Sequence, residues 1–147
     1  MLKEALDITR EKGRVFQRAR VLGTLALVDK DDDDAREAAL REGEEILGEG
    51  VISHNYFWFY RSAMDTMLYL KDWDRVERYA SALEDYTLQE PLTWTGFFVA
   101  RARALADFGQ GKRDEATLKE FERLRDAADS SGLKVAVAAI IDALTAW

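Results

Sequence analysis

Three arginines stand at matching intervals: Arg20, Arg61 and Arg101 are 41 and 40 residues apart. A guanidinium carries five donors in a planar fork, so a row of them can take carboxylates or phosphates in bidentate pairs. Trp58 lies one helical turn before Arg61, and Asp65 one turn after it. Aromatic and Arg side chains gathered together are the usual anchors of a binding surface. A local reading competes: Arg61 and Asp65 at i,i+4 can pair along a helix face, and Trp58 can pack on a neighbouring hairpin. Arg20, Trp58, Arg61, Asp65 and Arg101 are therefore the candidate binding residues.

Other chemistry is thinly represented. The chain has no Cys, which removes thiolate ligands and thiol nucleophiles. His54 is the only His, and no second ligand stands at a metal-binding spacing from it. Asp29 and Asp31 to Asp34 form an acidic run. An EF-hand starting at Asp29 would need Gly and Glu where Asp34 and Leu40 stand, so a solvated turn with a helix cap is expected. Gly109-Gln110-Gly111-Lys112 lacks the rest of a phosphate-binding loop and reads as an interhelical turn. Glu44-Glu45 and Glu84-Asp85 are ordinary pairs for a helix surface. No catalytic residue, metal or cofactor is expected, and the chain is not expected to be an enzyme.

The 147 residues include 21 Lys and Arg against 28 Asp and Glu, a net charge of −7. That length suits a single domain over residues 1–147, and 48% hydrophobic residues can fill its core without disulfide or metal staples. The acidic balance weighs against nucleic acid as a partner. Charges interrupt the N-terminus from Lys3 onward, and the longest apolar stretch, Val135 to Ile141, is far shorter than the roughly 20 residues of a membrane span. The expectation is a cytoplasmic protein without a membrane partner.

Helical spacing runs through the chain, and strand alternation is nearly absent. The pattern predicts helices over about 2–12, 14–28, 35–48, 54–70, 73–88, 91–109, 113–128 and 133–146. Asp34 with Glu37 resembles a capping box, Ser53 and Asp72 are N-cap candidates, and Pro91 fits a first helical turn. In the fourth helix Phe57, Tyr60, Met64, Met67 and Leu68 form the expected core stripe, which leaves Trp58 on a more polar one. Trp73 and Trp94 are expected to stack between hairpins.

The interval of the arginines recurs elsewhere. Phe16, Phe57 and Phe97 keep it, as do Gly23, Met64 and Ala104, and Ala35, Val76 and Ala116. Three helix pairs, about 14–50, 53–89 and 91–129, account for this, followed by a C-terminal helix at about 133–146. Small residues where two helices cross let the backbones approach, so Gly23 is expected to face Ala35, and Ala104 to face Ala116. A single hairpin cannot bury both faces, so hairpins stack into one core.

A small residue followed twelve positions later by Ala, with the turns Lys71-Asp72-Trp73-Asp74-Arg75-Val76 and Gly111-Lys112-Arg113-Asp114-Glu115-Ala116, resembles the tetratricopeptide (TPR) repeat. The period near 40 exceeds the standard 34, so the likeness is to a long, degenerate variant. Residues from Ser53-His54-Asn55-Tyr56-Phe57-Trp58-Phe59-Tyr60-Arg61 through Glu90-Pro91-Leu92 also resemble the C-terminal repeat region of bacterial adenylate and guanylate cyclases and related ATPase-linked regulators. These resemblances imply an all-α fold, a right-handed superhelix of about three TPR-like hairpins plus terminal helices. They imply a non-catalytic interaction or regulatory module, part of a larger signalling protein, whose concave face takes a protein or peptide, acidic if the arginines meet it. The alternative is a small-ligand sensor using that concave face. The apolar C-terminal helix, with Val135, Val137, Ile140, Ile141, Leu144 and Trp147, either packs on the third hairpin, forms a homodimer, or meets an absent partner.

Overall fold

A computed structural model describes residues 1, 4, 6–8, 15–50 and 54–147, of residues 15, 16 and 134 the backbone only. Most of the helix expected over 2–12, the Ser53 cap and the Phe16 side chain lie outside the described residues. Residues 6–8 are helical and Leu6 is buried. There follow α1 (Val15–Val28), α2 (Asp33–Gly48), α3 (His54–Leu70), α4 (Trp73–Tyr86), α5 (Thr93–Gly109), α6 (Glu115–Ser130) and α7 (Lys134–Thr145). No strand occurs among the described residues, and the protein is all-α. No helix among them is long and apolar enough to cross a membrane.

Carboxylates at the starts fix several of these boundaries, because the first amides of a helix have no acceptor within it. The Asp32 carboxylate, rather than Asp34, accepts from the Ala35 amide at 3.0 Å, so α2 starts two residues earlier than the capping box suggested. Asp72 accepts from the Arg75 amide at 3.2 Å, and Asp114 from that of Thr117 at 2.8 Å. Pro91 stands ahead of α5 rather than inside its first turn; Leu92, extended at φ −100° and ψ 130°, holds the cap position without a side-chain bond.

Three helices end alike. Lys71, Gly111 and Gly132 follow α3, α5 and α6 with φ of 59°, 93° and 70°. The next amide in each case reaches back five residues: Asp72 to the Met67 carbonyl, Lys112 to Asp107, Leu133 to Ala128. This is the left-handed termination that glycine makes easily, and Lys71 is the non-glycine residue that adopts it.

The chain divides into two compact units, Met1–Arg75 and Val76–Trp147. In the first, α1 packs on both α2 and α3. The fully buried Phe59 lies at its centre, with Met64 and Met67 on the same helix. The α3 core stripe is Asn55, Phe59, Ala63, Met64, Thr66 and Met67. Phe57, Tyr60 and Leu68, expected there, are half-buried instead. The reason is space made by glycine. A Cβ on Gly23 would stand 3.0 Å from the Phe59 Cα, and one on Gly43 only 2.0 Å from its Cε2. Gly23 thus meets α3, where a close approach to Ala35 was expected.

In the second unit α5, α6 and α7 pack on one another. Tyr79, Leu83, Phe98, Phe121, Leu124 and Ile140 lie in its core. Ala104 is buried and Ala116 is exposed, and both line one cleft between packed helices. The C-terminal helix packs within this unit through Ala136, Val137, Ile140 and Ala143, while Val135 and Ile141 stay exposed. Trp147 stacks on Phe108 with centroids 5.9 Å apart.

Candidate functional site

α1 and α3 bring together four of the five candidate residues. Helical spacing puts Trp58, Arg61 and Asp65 along one side of α3, and the packing of α1 on α3 adds Arg20. The Arg20 Cζ lies 4.7 Å from the Trp58 ring centroid and the Arg61 Cζ 5.3 Å from it. Both fall within the roughly 6 Å over which a guanidinium feels the negative face of an indole. Phe57 meets Trp58 edge-on at 5.2 Å. Arg20 is exposed, whereas Trp58, Arg61 and Asp65 are half-buried. The result is a semi-exposed indole with two cations beside it, able to present planar donors and apolar area to a carboxylate-bearing partner.

Arg101 is placed differently. It is buried in the second unit, and its Nε donates to the Ala136 carbonyl of α7 at 3.1 Å. Its recurring position in sequence does not give it the exposure of Arg20.

Residues that the spacing did not single out organise the charge around each unit. Arg36 is buried; its Nη1 donates to the Lys30 carbonyl at 2.7 Å and to Asp33 at 2.8 Å. Asp31 accepts from the Tyr69 hydroxyl at 2.9 Å, so the acidic turn between α1 and α2 is tied to α3 as well as capping a helix. Arg75 holds Glu37 through two bonds of 2.8 and 3.0 Å, and that pairing keeps the Glu37 carboxyl below its ordinary range against the opposing effect of burial. In the second unit Arg103 binds Glu77 and Glu84, both by Nη2, at 2.8 and 2.9 Å. Glu77 is held low by Arg103 in the same way, and the Arg103 guanidinium is raised. An Arg following an acidic helix start was the available signal for Arg36. Nothing local marks the Arg103 pairing, which joins α5 to α4.

The second unit also contains a cleft of about 340 Å³ lined by Arg103, Asp107, Lys112, Ala116, Thr117 and Glu120 among others. Its charges are mutually engaged: Lys112 pairs with Asp107 at 2.9 Å, and Glu120 with Arg123 at 2.6 Å. His54 is exposed at the start of α3. Trp73 is half-buried, and Trp94, expected to stack between hairpins, is exposed in the first turn of α5, where Phe97 and Phe98 take the core side. Among the described residues no three His, Asp or Glu converge as metal ligands.

No family model, no curated protein and no solved structure matches this chain.

Proposed function

We propose that this chain is a non-catalytic, TPR-like protein–protein interaction module, a regulatory part of a larger signalling protein, that binds an acidic protein segment. One observation carries the reading: the half-buried Trp58 indole with the Arg20 and Arg61 guanidiniums 4.7 and 5.3 Å from its centroid. Trp and Arg dominate binding hot spots because they offer large, rigid contact area and forked donors at low ordering cost. The net charge of −7 opposes an acidic segment at long range, so the pair of cations beside Trp58 has to supply the local attraction.

The turns support the repeat likeness. Lys71 and Gly111 hold corresponding places in the two quoted turns and both take the left-handed conformation, while the capping Asp follows by one residue in the first (Asp72) and by three in the second (Asp114). A right-handed superhelix built from hairpins follows as part of the same proposal. The exposed Val135 and Ile141 leave the C-terminal helix available to a second copy of the chain.

Selection of an Asp- and Glu-rich peptide library on the full chain tests the reading. Peptides should be enriched, and the variant carrying Trp58→Ala, Arg20→Ala and Arg61→Ala should lose them while keeping its helicity. Equal retention by the triple variant would overturn it.

A further inference from the structure

The cleft formed by α5 and α6 sets charges of both signs around an apolar floor. Its volume is about 340 Å³, and Val99, Ala100, Ala104 and Ala116 supply the apolar surface. That volume stands near the lower end of the roughly 300–1,000 Å³ typical of small-molecule sites. The charged lining comprises Glu84 of α4, Arg103 and Asp107 of α5, Lys112 of the following turn and Glu120 of α6.

The ion pairs of this cleft occupy only part of each group. Arg103 spends Nε and Nη2 on Glu77, Ser81 and Glu84, and its Nη1 makes no hydrogen bond among the described residues. Lys112 gives one of its three ammonium hydrogens to Asp107 Oδ2. Glu84 accepts through Oε2 and Asp107 through Oδ2, so the second oxygen of each meets no donor among the described residues. All four side chains can be reached from solvent: Arg103, Asp107, Lys112 and Glu84 are 35%, 45%, 49% and 54% exposed. Glu120 differs, since both of its oxygens accept from Arg123, outside the lining.

We propose that this cleft binds a small zwitterion, an α-amino acid with an aliphatic side chain. Its carboxylate accepts from Lys112 and Arg103, its ammonium donates to Asp107 and Glu84, and its side chain covers Val99, Ala100 and Ala104. The choice follows from the charges present. A simple anion would meet two cations but also three carboxylates. A simple cation would compete with Arg103 and Lys112 for the carboxylates they already hold. A neutral molecule would take water from both signs and return no charge to either. A zwitterion offers each side its opposite, and charge-assisted hydrogen bonds are the stronger kind. Cover of the apolar floor adds the driving force that selects an aliphatic side chain. This site lies in the second unit and does not rest on the Trp58 reading.

NMR titration of the full chain with L-leucine tests the proposal. The comparators are 4-methylpentanoate, which lacks the ammonium, and 3-methylbutylamine, which lacks the carboxylate. Saturable shifts at Val99, Ala100, Ala104 and Ala116 are expected with leucine, and each comparator should bind about tenfold more weakly. Lys112→Gln removes one cation from an exposed turn; it should weaken leucine about three- to tenfold and leave 3-methylbutylamine no weaker. Gly96 also lines the cleft, and a Cβ there would meet nothing within 4 Å. Gly96→Leu should therefore fill the space and abolish leucine binding without lowering Tm. Absence of saturable shifts at these residues, a comparator binding as tightly as leucine, or leucine affinity unchanged in either variant would overturn the assignment.

Discussion

The Phe59 ring occupies the space that a side chain at Gly43 would need: a Cβ there would lie 2.0 Å from Phe59 Cε2. Phe59 is fully buried, and Gly23 closes on its backbone from α1. One aromatic ring on α3 thereby fixes its approach to both α1 and α2. The ring cannot swing aside cheaply, because close-packed surroundings leave it no second position.

Gly43→Ala should therefore destabilise the first unit by about 1–3 kcal/mol, overpacking outweighing the gain of about 1 kcal/mol in helix propensity. Gly48, in the same helix, has nothing within 4 Å of its would-be Cβ. Gly48→Ala should be neutral or stabilising. Urea denaturation of the two variants checks the contrast, and equal midpoints would contradict the packing around Phe59.

Lys71 holds φ 59° at the end of α3, a conformation that costs a residue with a Cβ about 1 kcal/mol and glycine almost nothing. Lys71→Gly should raise stability by roughly 0.5–1 kcal/mol, despite the greater freedom glycine gives the unfolded chain. Thermal melting reads this directly; a lower Tm would mean the turn is held by the lysine side chain.

Arg101 and Arg20 should separate cleanly. Replacing buried Arg101 with Leu removes a charged donor that the Ala136 carbonyl accepts from in addition to its own helix, and should cost about 1–3 kcal/mol. It should also speed amide exchange along α7. Arg20→Ala removes an exposed cation over an indole, worth about 0.5–1 kcal/mol. Hydrogen exchange in which both variants leave α7 equally protected would contradict the role of Arg101.

Acid should weaken both units in the same direction. The bonds from Arg75 to Glu37 and from Arg103 to Glu77 hold these carboxyls below their ordinary value of 4.5. A folded-state value below the unfolded one gives stability that is complete above about pH 4.5 and lost as pH falls through the folded value. Glu77→Gln should flatten this limb. The effect should be small and shrink in high salt, because the Glu77 side chain is 54% exposed. Parallel Tm profiles of the variant and the parent down to about pH 3 would show that the pair contributes nothing.

Much of the secondary structure was legible. Asp72 caps α4 as its position suggested, and the Gly109–Gly111 and Gly132 breaks end α5 and α6. Such signals act within about four residues, so a linear reading can find them. Errors were local too: among four consecutive aspartates the pattern cannot tell which carboxylate meets the amide, and Asp32 does.

The site was legible in part. Trp58, Arg61 and Asp65 share a side of α3 because helix geometry demands it. Arg20 joins them only through the packing of α1 on α3. Arg101 was indistinguishable from Arg20 by interval, yet one is buried against α7 and the other exposed. The unmet Thr95 hydroxyl carried no sequence signal, since a threonine in a first helical turn is ordinary until its neighbours deny it a partner.

The sequence by itself determined that this chain is helical, where its helices begin and end to within about two residues, and which residues share a helix side, because hydrogen bonds and capping operate over a turn or less. Tertiary structure alone decided that Phe59 rather than Phe57 occupies the core, that Ala116 stays exposed, and that Thr95 keeps an unmet hydroxyl. The first of these depends on the space that Gly23 and Gly43 leave for the Phe59 ring, and in each unit the outcome turns on volumes contributed by residues distant in the chain, which no local pattern encodes.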